Sequence, residues 1–161
     1  MFYLVYFQRE RITKRSCNVL MLRTVNKSGF LFVRYYSACW VCIKSYEPSG
    51  KPYLADNSYF ISISHTKGYV AVILSEEKPV GIDIEQYSRR VHKVAHKYMR
   101  EDEQFVPYGE DDTWSLLLHW SAKEVMFKCM NTPEVDFREH LHIEPFTTEQ
   151  QGGRMGVGKS V

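Results

Sequence analysis

The sequence predicts an α+β protein, because strand-like segments in the middle of the chain are followed by helical ones. Residues Tyr59–His65, Tyr69–Ser75 and Val80–Glu85 have the alternating or continuously apolar patterns of short strands. From Ser88 onward, apolar residues recur at spacings of three and four, which is typical of helices. With 161 residues, 44% of them hydrophobic, the chain can form one domain or two small subdomains that share a core.

Residues 1–45 combine apolar stretches with a basic cluster, and they show no clean helical repeat. The first seven residues are apolar, but no basic residue precedes them and charges follow at once, which argues against a secretory signal or a membrane span. A net charge of only +2 gives no nucleic-acid signal, although the basic cluster Arg9–Arg23 leaves nucleic-acid binding as an alternative. We expect a soluble, cytoplasmic protein with no nucleic-acid or membrane partner.

Two of the four cysteines, Cys39 and Cys42, form a CxxC motif. A structural zinc site needs four ligands, and no second CxxC or CxxH completes one here. The flanking residues are aromatic and β-branched, so the motif predicts an apolar strand with two buried thiols rather than a redox or zinc site.

The strand-like segments are separated by turn signals. Glu47–Pro52 ends the first region, and Gly68 can supply the positive φ of a hairpin turn between the two segments that follow. Two helical stretches come next, one capped by Ser88 and one from Trp114 to Met130, with a Pro-Gly break between them at Val106–Glu110. One short strand is predicted near the end of the chain, at His140–Ile143.

Two further patterns resemble ligand sites but lack the context that such sites need. Gly153–Ser160 fits the phosphate-loop pattern, yet a single residue follows it, so no helix N-terminus is available for the phosphates. His92 and His96 are spaced for zinc on a helix, but the HExxH acid is absent and their neighbours are lysines. We interpret these two patterns as a chance match and a solvated helix face.

The segment Val80–Glu85 places two acids, Asp83 and Glu85, on one face of a strand. Their Cα atoms would lie about 6.6 Å apart, and two charges at that distance repel by roughly 2.5 kcal/mol at an effective dielectric near 20. At an exposed strand end the pair would have little significance. In a cleft it would require a cation, and carboxylate oxygens suit Mg²⁺ or Mn²⁺.

The second helix carries polar residues among its apolar ones. Trp120, Glu124 and Lys128 recur every four residues and therefore share a face, and Lys123 lies beside Glu124. Glu124 and Lys128 can be explained as a weak ion pair on the surface of the helix. The alternative is a polar cleft, in which Glu124 is a third carboxylate for a metal and the two lysines bind a phosphate.

Four motifs occur in order from Gly50 to Lys128: GKP, the SHT end of FISISHT, GIDIE and WSAKEVMFK. This series resembles the surfactin-synthetase-activating type of 4′-phosphopantetheinyl transferase. The resemblance implies two similar subdomains, each a small antiparallel sheet packed on a long helix, with the active site between them. We place these subdomains at residues 1–79 and 80–161. The resemblance also implies magnesium-dependent transfer of the phosphopantetheine arm of coenzyme A to a serine of an apo acyl or peptidyl carrier protein, with release of adenosine 3′,5′-bisphosphate.

The resemblance also assigns roles to individual residues. It implies that Asp83, Glu85 and Glu124 bind the Mg²⁺ or Mn²⁺ ion. It implies that coenzyme A is bound by Lys51, Ser64, His65, Lys123 and Lys128. The catalytic set so implied is His65, Asp83, Glu124 and Lys128. Looser matches are Glu103, which falls where the family often has an acid near the active site, and Lys14, Arg15 and Arg23, which are candidates for the 3′-phosphate.

Some alternatives stay open at the level of the sequence. Either Glu124 or a metal-bound water could deprotonate the carrier serine. Only a short stretch follows Lys128, where the family has a longer C-terminal half, and Thr66 replaces the family's second serine. A non-catalytic module that binds coenzyme A or a carrier is therefore the alternative to an enzyme. We expect a monomer.

Overall fold

The structure, a computed structural model, describes residues 2–8, 17–23, 31–35, 39–43, 45–47, 50–103, 112–130, 134–146 and 159–160. Side chains are described for 46–47, 50–103, 112–130 and 134–146. Within these residues the protein is α+β, as predicted. The strands are β1 (Phe2–Gln8), β2 (Cys17–Arg23), β3 (Leu31–Tyr35), β4 (Cys39–Ile43), β5 (Ser45–Tyr46), β6 (Pro52–Tyr53), β7 (Phe60–Thr66), β8 (Tyr69–Ser75), β9 (Val80–Gln86), β10 (Leu141–His142) and β11 (Lys159–Ser160). The α-helix is α1 (Thr113–Cys129).

The predicted hairpin is confirmed as β7 and β8, which pair antiparallel. Gly68 lies in the turn between them with φ +82°, a conformation that a residue without Cβ adopts readily. Strand β2 pairs with the other edge of β8, which gives a three-stranded sheet in the order β2–β8–β7. The predicted strand at Val80–Glu85 is confirmed as β9, which pairs antiparallel with β1.

Strand β9 is joined to β7 by side chains rather than by a backbone ladder. The hydroxyl oxygen of Ser62 accepts a hydrogen bond from Ile82 N at 3.2 Å, and that of Ser64 accepts one from Ile84 N at 3.3 Å. These serines are buried, so they satisfy backbone donors that water does not reach. The alternating serines of FISISHT therefore connect the two sheets.

Apolar side chains pack on both faces of β8. One cluster consists of Leu54, Ile61, Val70, Val72 and Leu74. The other joins β8 to β9 and consists of Ala71, Ile73, Val80, Ile82 and Ile84. The alternation of β8 between the two clusters explains why its sequence is apolar throughout.

Apart from the strand expected at the CxxC motif, the N-terminal region forms strands that sequence analysis did not identify, among them β1 and β2. Strand β1 pairs with β9, on the other side of the boundary predicted at residues 79 and 80, and that boundary remains a prediction. The CxxC segment lies in strand β4, as expected, but its side chains are outside the described part. Lys14, Arg15, Val106–Glu110 and residues 153–158 also lie outside the described residues. Lys159 and Ser160 form β11, which pairs with β10.

The helical segments are confirmed in position, but the first is not an α-helix. The segment forms two 3₁₀ turns, Arg89–Lys93 and Ala95–Lys97. Ser88 caps the first of them, and its hydroxyl accepts from Arg90 N at 3.3 Å. A spacing of three and four does not distinguish short 3₁₀ turns from an α-helix. Helix α1 begins one residue before the predicted start and ends one residue before the predicted end. Among the described helices, none has the length and apolar character needed to cross a membrane.

Helix α1 lies directly on β9 at Gly81. A Cβ atom built on Gly81 would lie 2.6 Å from Val125 O and 2.9 Å from Cys129 Sγ. Separations below 3.0 Å require the neighbouring atoms to shift, and the nearer of the two is helix backbone. Only glycine therefore allows this helix-strand distance.

We expect Gly81→Ala to lower the free energy of unfolding by about 1–3 kcal/mol, because the added methyl group overpacks the contact with α1. Urea unfolding followed by circular dichroism measures the change. Glu76→Ala, in an exposed turn, is the control and should remain within about 0.5 kcal/mol of wild type. An equally small effect at Gly81 would mean that the helix does not lie this close to the strand.

Candidate functional site

A cavity of about 330 Å³ lies where β7, β9 and α1 meet. Its lining residues come from all three of these elements, and most of them are polar. The lining residues are Ile63, Ser64, His65, Asp83, Glu85, Trp120, Glu124 and Lys128. The fold thus brings together the acids predicted from the strand and from the helix, which are far apart in the chain.

Asp83 is the most highly bonded residue of the cavity. Its Oδ1 accepts from the Ser64 hydroxyl at 2.8 Å and from Lys128 Nζ at 3.0 Å, and its Oδ2 accepts from the Ser121 hydroxyl at 2.6 Å. Only 4% of Asp83 is exposed. A buried carboxylate with three donors is held in one orientation, so Asp83 presents a fixed charge at the junction of β7, β9 and α1.

Lys128 extends from the end of α1 back to strand β9. Its ammonium donates to Asp83 Oδ1 and also to Ile82 O at 2.9 Å. Glu124 Oε2, one helical turn away, lies 3.9 Å from the same nitrogen. The shorter contact to Asp83 shows that the main partner of Lys128 lies across the cavity rather than on its own helix.

The two glutamates of the cavity have raised pKa values. Burial raises the pKa of Glu85, the charge of Asp83 adds to this rise, and a hydrogen bond from Trp120 Nε1 at 3.2 Å opposes it. Burial also raises the pKa of Glu124; Lys128 opposes that rise, while Asp83 and Glu85 add to it. A further positive charge in the cavity would therefore be stabilised by these acids.

The donor chemistry of this cavity fits a hard divalent cation. Carboxylate oxygens are the ligands that Mg²⁺ and Mn²⁺ prefer, and Asp83, Glu85 and Glu124 all line the cavity. The Lys128 ammonium already places a positive charge against one of these carboxylates. Among the described residues, no set of three or more His, Cys, Asp or Glu side chains is arranged as a ready-made metal site.

Two of the residues assigned to coenzyme A by resemblance differ in their placement. His65 is exposed and lines the cavity. Lys51 is not among the lining residues and lies near the end of α1. Burial raises the pKa of the Cys129 thiol, and the charges of Lys51 and Lys128 oppose that rise.

Lys123 and Glu103 form a buried ion pair away from the cavity. Both side chains are 0% exposed, and Lys123 Nζ lies 2.8 Å from Glu103 Oε1. The same ammonium donates to Phe137 O at 3.1 Å and to Tyr98 O. Burial lowers the pKa of Lys123, and the Glu103 carboxylate opposes this shift.

The carboxylate of Glu103 also bonds to the backbone on both sides of the pair. Its Oε2 accepts from Arg100 N at 2.9 Å, and its Oε1 accepts from Ile143 N at 2.8 Å. The pair therefore joins α1 to the segments around residues 100 and 143. The structure places Lys123 inside the fold, while its neighbour Glu124 faces the cavity.

The other candidate residues lie elsewhere. His92 and His96 are both exposed, and His92 Nε2 lies 2.8 Å from Thr113 Oγ1. Arg23 ends β2, and its side chain is outside the described part.

Sequence reasoning missed Ser121, whose hydroxyl donates to Asp83 Oδ2. It placed Trp120 on the helix face of Glu124 but gave it no role, and the structure shows that Trp120 Nε1 donates to Glu85. Ser121 lies three residues before Glu124, so the helical period contained a signal for it as well.

We expect Lys123→Met to lower the free energy of unfolding by about 3–5 kcal/mol, because it leaves a buried carboxylate without its cation. The double variant Lys123→Met with Glu103→Gln should recover part of this loss, since the remaining amide can still accept a backbone hydrogen bond. Urea unfolding of both variants measures the change, with the exposed Lys93→Met as the control. No recovery in the double variant would contradict this pairing.

Comparison with known proteins identifies the domain that contains most of this cavity. The family model of the 4′-phosphopantetheinyl transferase superfamily matches residues 79–158. The match includes β9 and α1, and thus Asp83, Glu85, Glu124 and Lys128, whereas the GKP and SHT motifs lie before it. No curated protein matches the chain. Over residues 79–158 the chain is therefore similar to the 4′-phosphopantetheinyl transferase superfamily.

Proposed function

We propose that this protein transfers the 4′-phosphopantetheine arm of coenzyme A to a serine of an apo acyl or peptidyl carrier protein, with Mg²⁺ or Mn²⁺ as cofactor. The superfamily supports phosphopantetheine transfer in general. The observation that carries the proposal is the single cavity in which Asp83, Glu85, Glu124 and Lys128 meet. Three of these residues match the metal ligands of the surfactin-synthetase-activating type, to which we assign the protein.

In this proposal the three acids bind the divalent ion. When bound, a divalent cation supplies positive charge that neutralises the diphosphate of coenzyme A. Ser64 and Ser121 keep Asp83 in place, and Trp120 does the same for Glu85. The acids thus need little reorganisation before they bind.

The cationic side chains bind the coenzyme. Lys128 is at the cavity and can reach a phosphate oxygen after leaving Asp83, and His65 offers a ring N–H from the exposed side. We assign Lys51 to a more distant part of the coenzyme, in keeping with its position outside the lining. Lys123, which the resemblance also assigns to the coenzyme, supports α1 from within the fold.

The reaction is an in-line substitution at phosphorus. The hydroxyl oxygen of the carrier serine attacks the β-phosphorus of coenzyme A and forms a new P–O bond. The bond from that phosphorus to the bridging oxygen breaks, and adenosine 3′,5′-bisphosphate leaves with the electron pair. Glu124 takes the serine proton, directly or through a water molecule, because its carboxylate lies in the cavity.

The proposal includes the wider arrangement that the resemblance implies. It comprises two similar subdomains, at residues 1–79 and 80–161, with the coenzyme between them. In this proposal the protein is a monomer that acts in the cytoplasm on coenzyme A and a carrier protein, with neither nucleic acid nor membrane as partner.

The transfer reaction can be measured by mass. Incubation with coenzyme A, Mg²⁺ and an apo carrier protein should add about 340 Da to the carrier, the mass of the phosphopantetheine arm. Addition of EDTA should stop the reaction, and excess Mg²⁺ should restore it. Asp83→Asn should abolish it without unfolding the protein.

If no acyl or peptidyl carrier gains this mass, the proposal that the protein is an enzyme is refuted. Tight binding of coenzyme A without transfer would favour the non-catalytic module instead. Lys93→Met, which changes a charge on an exposed segment away from the cavity, is the matched control and should transfer at the wild-type rate.

We expect Glu124→Gln to lose transfer and yet to unfold at a higher temperature than wild type at pH 7. The pKa of Glu124 is raised above 4.5 in the folded protein, so the folded state binds this proton more tightly than the unfolded state. Stability is therefore lost as pH rises through the folded pKa. Glu124→Gln does not lose stability in this way, because the glutamine side chain does not ionise.

Thermal unfolding of wild type and Glu124→Gln between pH 4 and pH 8 measures this difference. The gap between the two melting temperatures should widen as pH rises. A variant less stable than wild type at every pH would show that the Glu124 charge is favourable in the folded state.

A further inference from the structure

The ammonium of Lys128 binds Asp83, a carboxylate that the proposed function assigns to the metal. It donates to Asp83 Oδ1 at 3.0 Å and to Ile82 O at 2.9 Å, with Glu124 Oε2 at 3.9 Å. The contacts to Asp83 and Ile82 are hydrogen bonds, whereas the longer contact to Glu124 is an ion pair. Lys128 thus acts as the internal counter-ion of the acid cluster.

We infer that Lys128 competes with the divalent cation for Asp83 and is released to the diphosphate when coenzyme A binds. The first part rests on the contacts of Lys128 alone. The second part, release to the diphosphate, rests on the proposed function. In this arrangement Lys128 couples the binding of the metal to the binding of the coenzyme.

Several features allow this exchange. The Lys128 side chain is 23% exposed, whereas that of Asp83 is 5% exposed, so the lysine can leave while the aspartate stays. A lysine side chain has a flexible four-carbon stem, and its ammonium can move without any movement of α1. Asp83 retains its two serine hydroxyl donors after Lys128 leaves.

The consequence is reciprocal coupling. A metal ion alone must displace Lys128 from Asp83, which lowers the affinity for the metal. A diphosphate offers the displaced ammonium a new partner, so the coenzyme should raise metal affinity, and the metal should raise coenzyme affinity by the same factor. An acid cluster without this lysine would bind the metal well on its own.

The first experiment measures Mn²⁺ binding by calorimetry in the absence of coenzyme. Lys128→Met should bind Mn²⁺ about tenfold more tightly than wild type, within the range of typical couplings. Lys128→Gln, which keeps a hydrogen-bond donor but no charge, should also bind more tightly, and circular dichroism confirms that both variants fold. Lys93→Met, the matched control, should bind as wild type does.

The second experiment uses the wild-type chain alone. Acylation of lysine amines, quantified by mass spectrometry, should become faster at Lys128 when Mg²⁺ is added and should not change at Lys93. Unchanged Lys128 reactivity, or Mn²⁺ binding by the variants that is no tighter than that of wild type, overturns the inference.

Measuring Mn²⁺ binding in the presence of coenzyme A tests this inference separately from the proposed function. Coenzyme A should tighten Mn²⁺ binding to wild type and should tighten it less in Lys128→Met. If wild type binds no coenzyme A, the proposed function fails, but the Mn²⁺ and acylation results still decide whether Lys128 competes with the metal. Equal coupling by coenzyme A in wild type and variant refutes the release of Lys128 to the diphosphate.

Discussion

The close contact between α1 and β9 at Gly81 determines the geometry of the rest of the site. The two segments are separated by 26 residues of chain, yet the missing side chain of Gly81 lets the strand approach Val125 O of the helix. Val125 follows Glu124, and Gly81 lies two residues before Asp83. A single backbone contact therefore sets the spacing of acids that come from different elements.

The buried acids of the cavity are electrostatically unfavourable in their charged forms, and other contacts in the fold offset this. The raised pKa values of Glu85 and Glu124 show that burial and mutual repulsion disfavour their charged forms. The Lys128 ammonium reduces that cost for both acids, and the hydrogen bond from Trp120 reduces it for Glu85. On another face of α1, the buried pair of Lys123 and Glu103 holds the helix in place. Like charges at a functional site need such independent support.

Local patterns predicted the elements whose own residues show a clear period or a turn signal. The hairpin β7–β8, strand β9 and helix α1 followed from periodicity and turn residues. Strands β1 and β2 did not, because residues 1–45 mix apolar and basic residues without a clean repeat, and their pairing partners lie about fifty or more residues away. Nothing in their own sequence specifies those partners, since the core that selects them is formed elsewhere in the chain. The same limit applied to Lys123: successive helix residues point about 100° apart, and periodicity does not show which of two adjacent residues faces a cleft.

The role of Lys128 illustrates how far tertiary contacts can change the meaning of a sequence pattern. On an isolated helix, a glutamate four residues before a lysine indicates a surface ion pair worth a few tenths of a kcal/mol. Here Lys128 lies nearer to Asp83 than to Glu124, and it also bonds to the backbone of β9 at Ile82. A lysine held by a strand carboxylate and a strand carbonyl is part of the contact between strand and helix. The proposed function assigns that same carboxylate to a metal, so the contact that stabilises the free protein is the one with which the proposed metal would compete. In that case the affinity for the metal would depend on what else can accept the lysine.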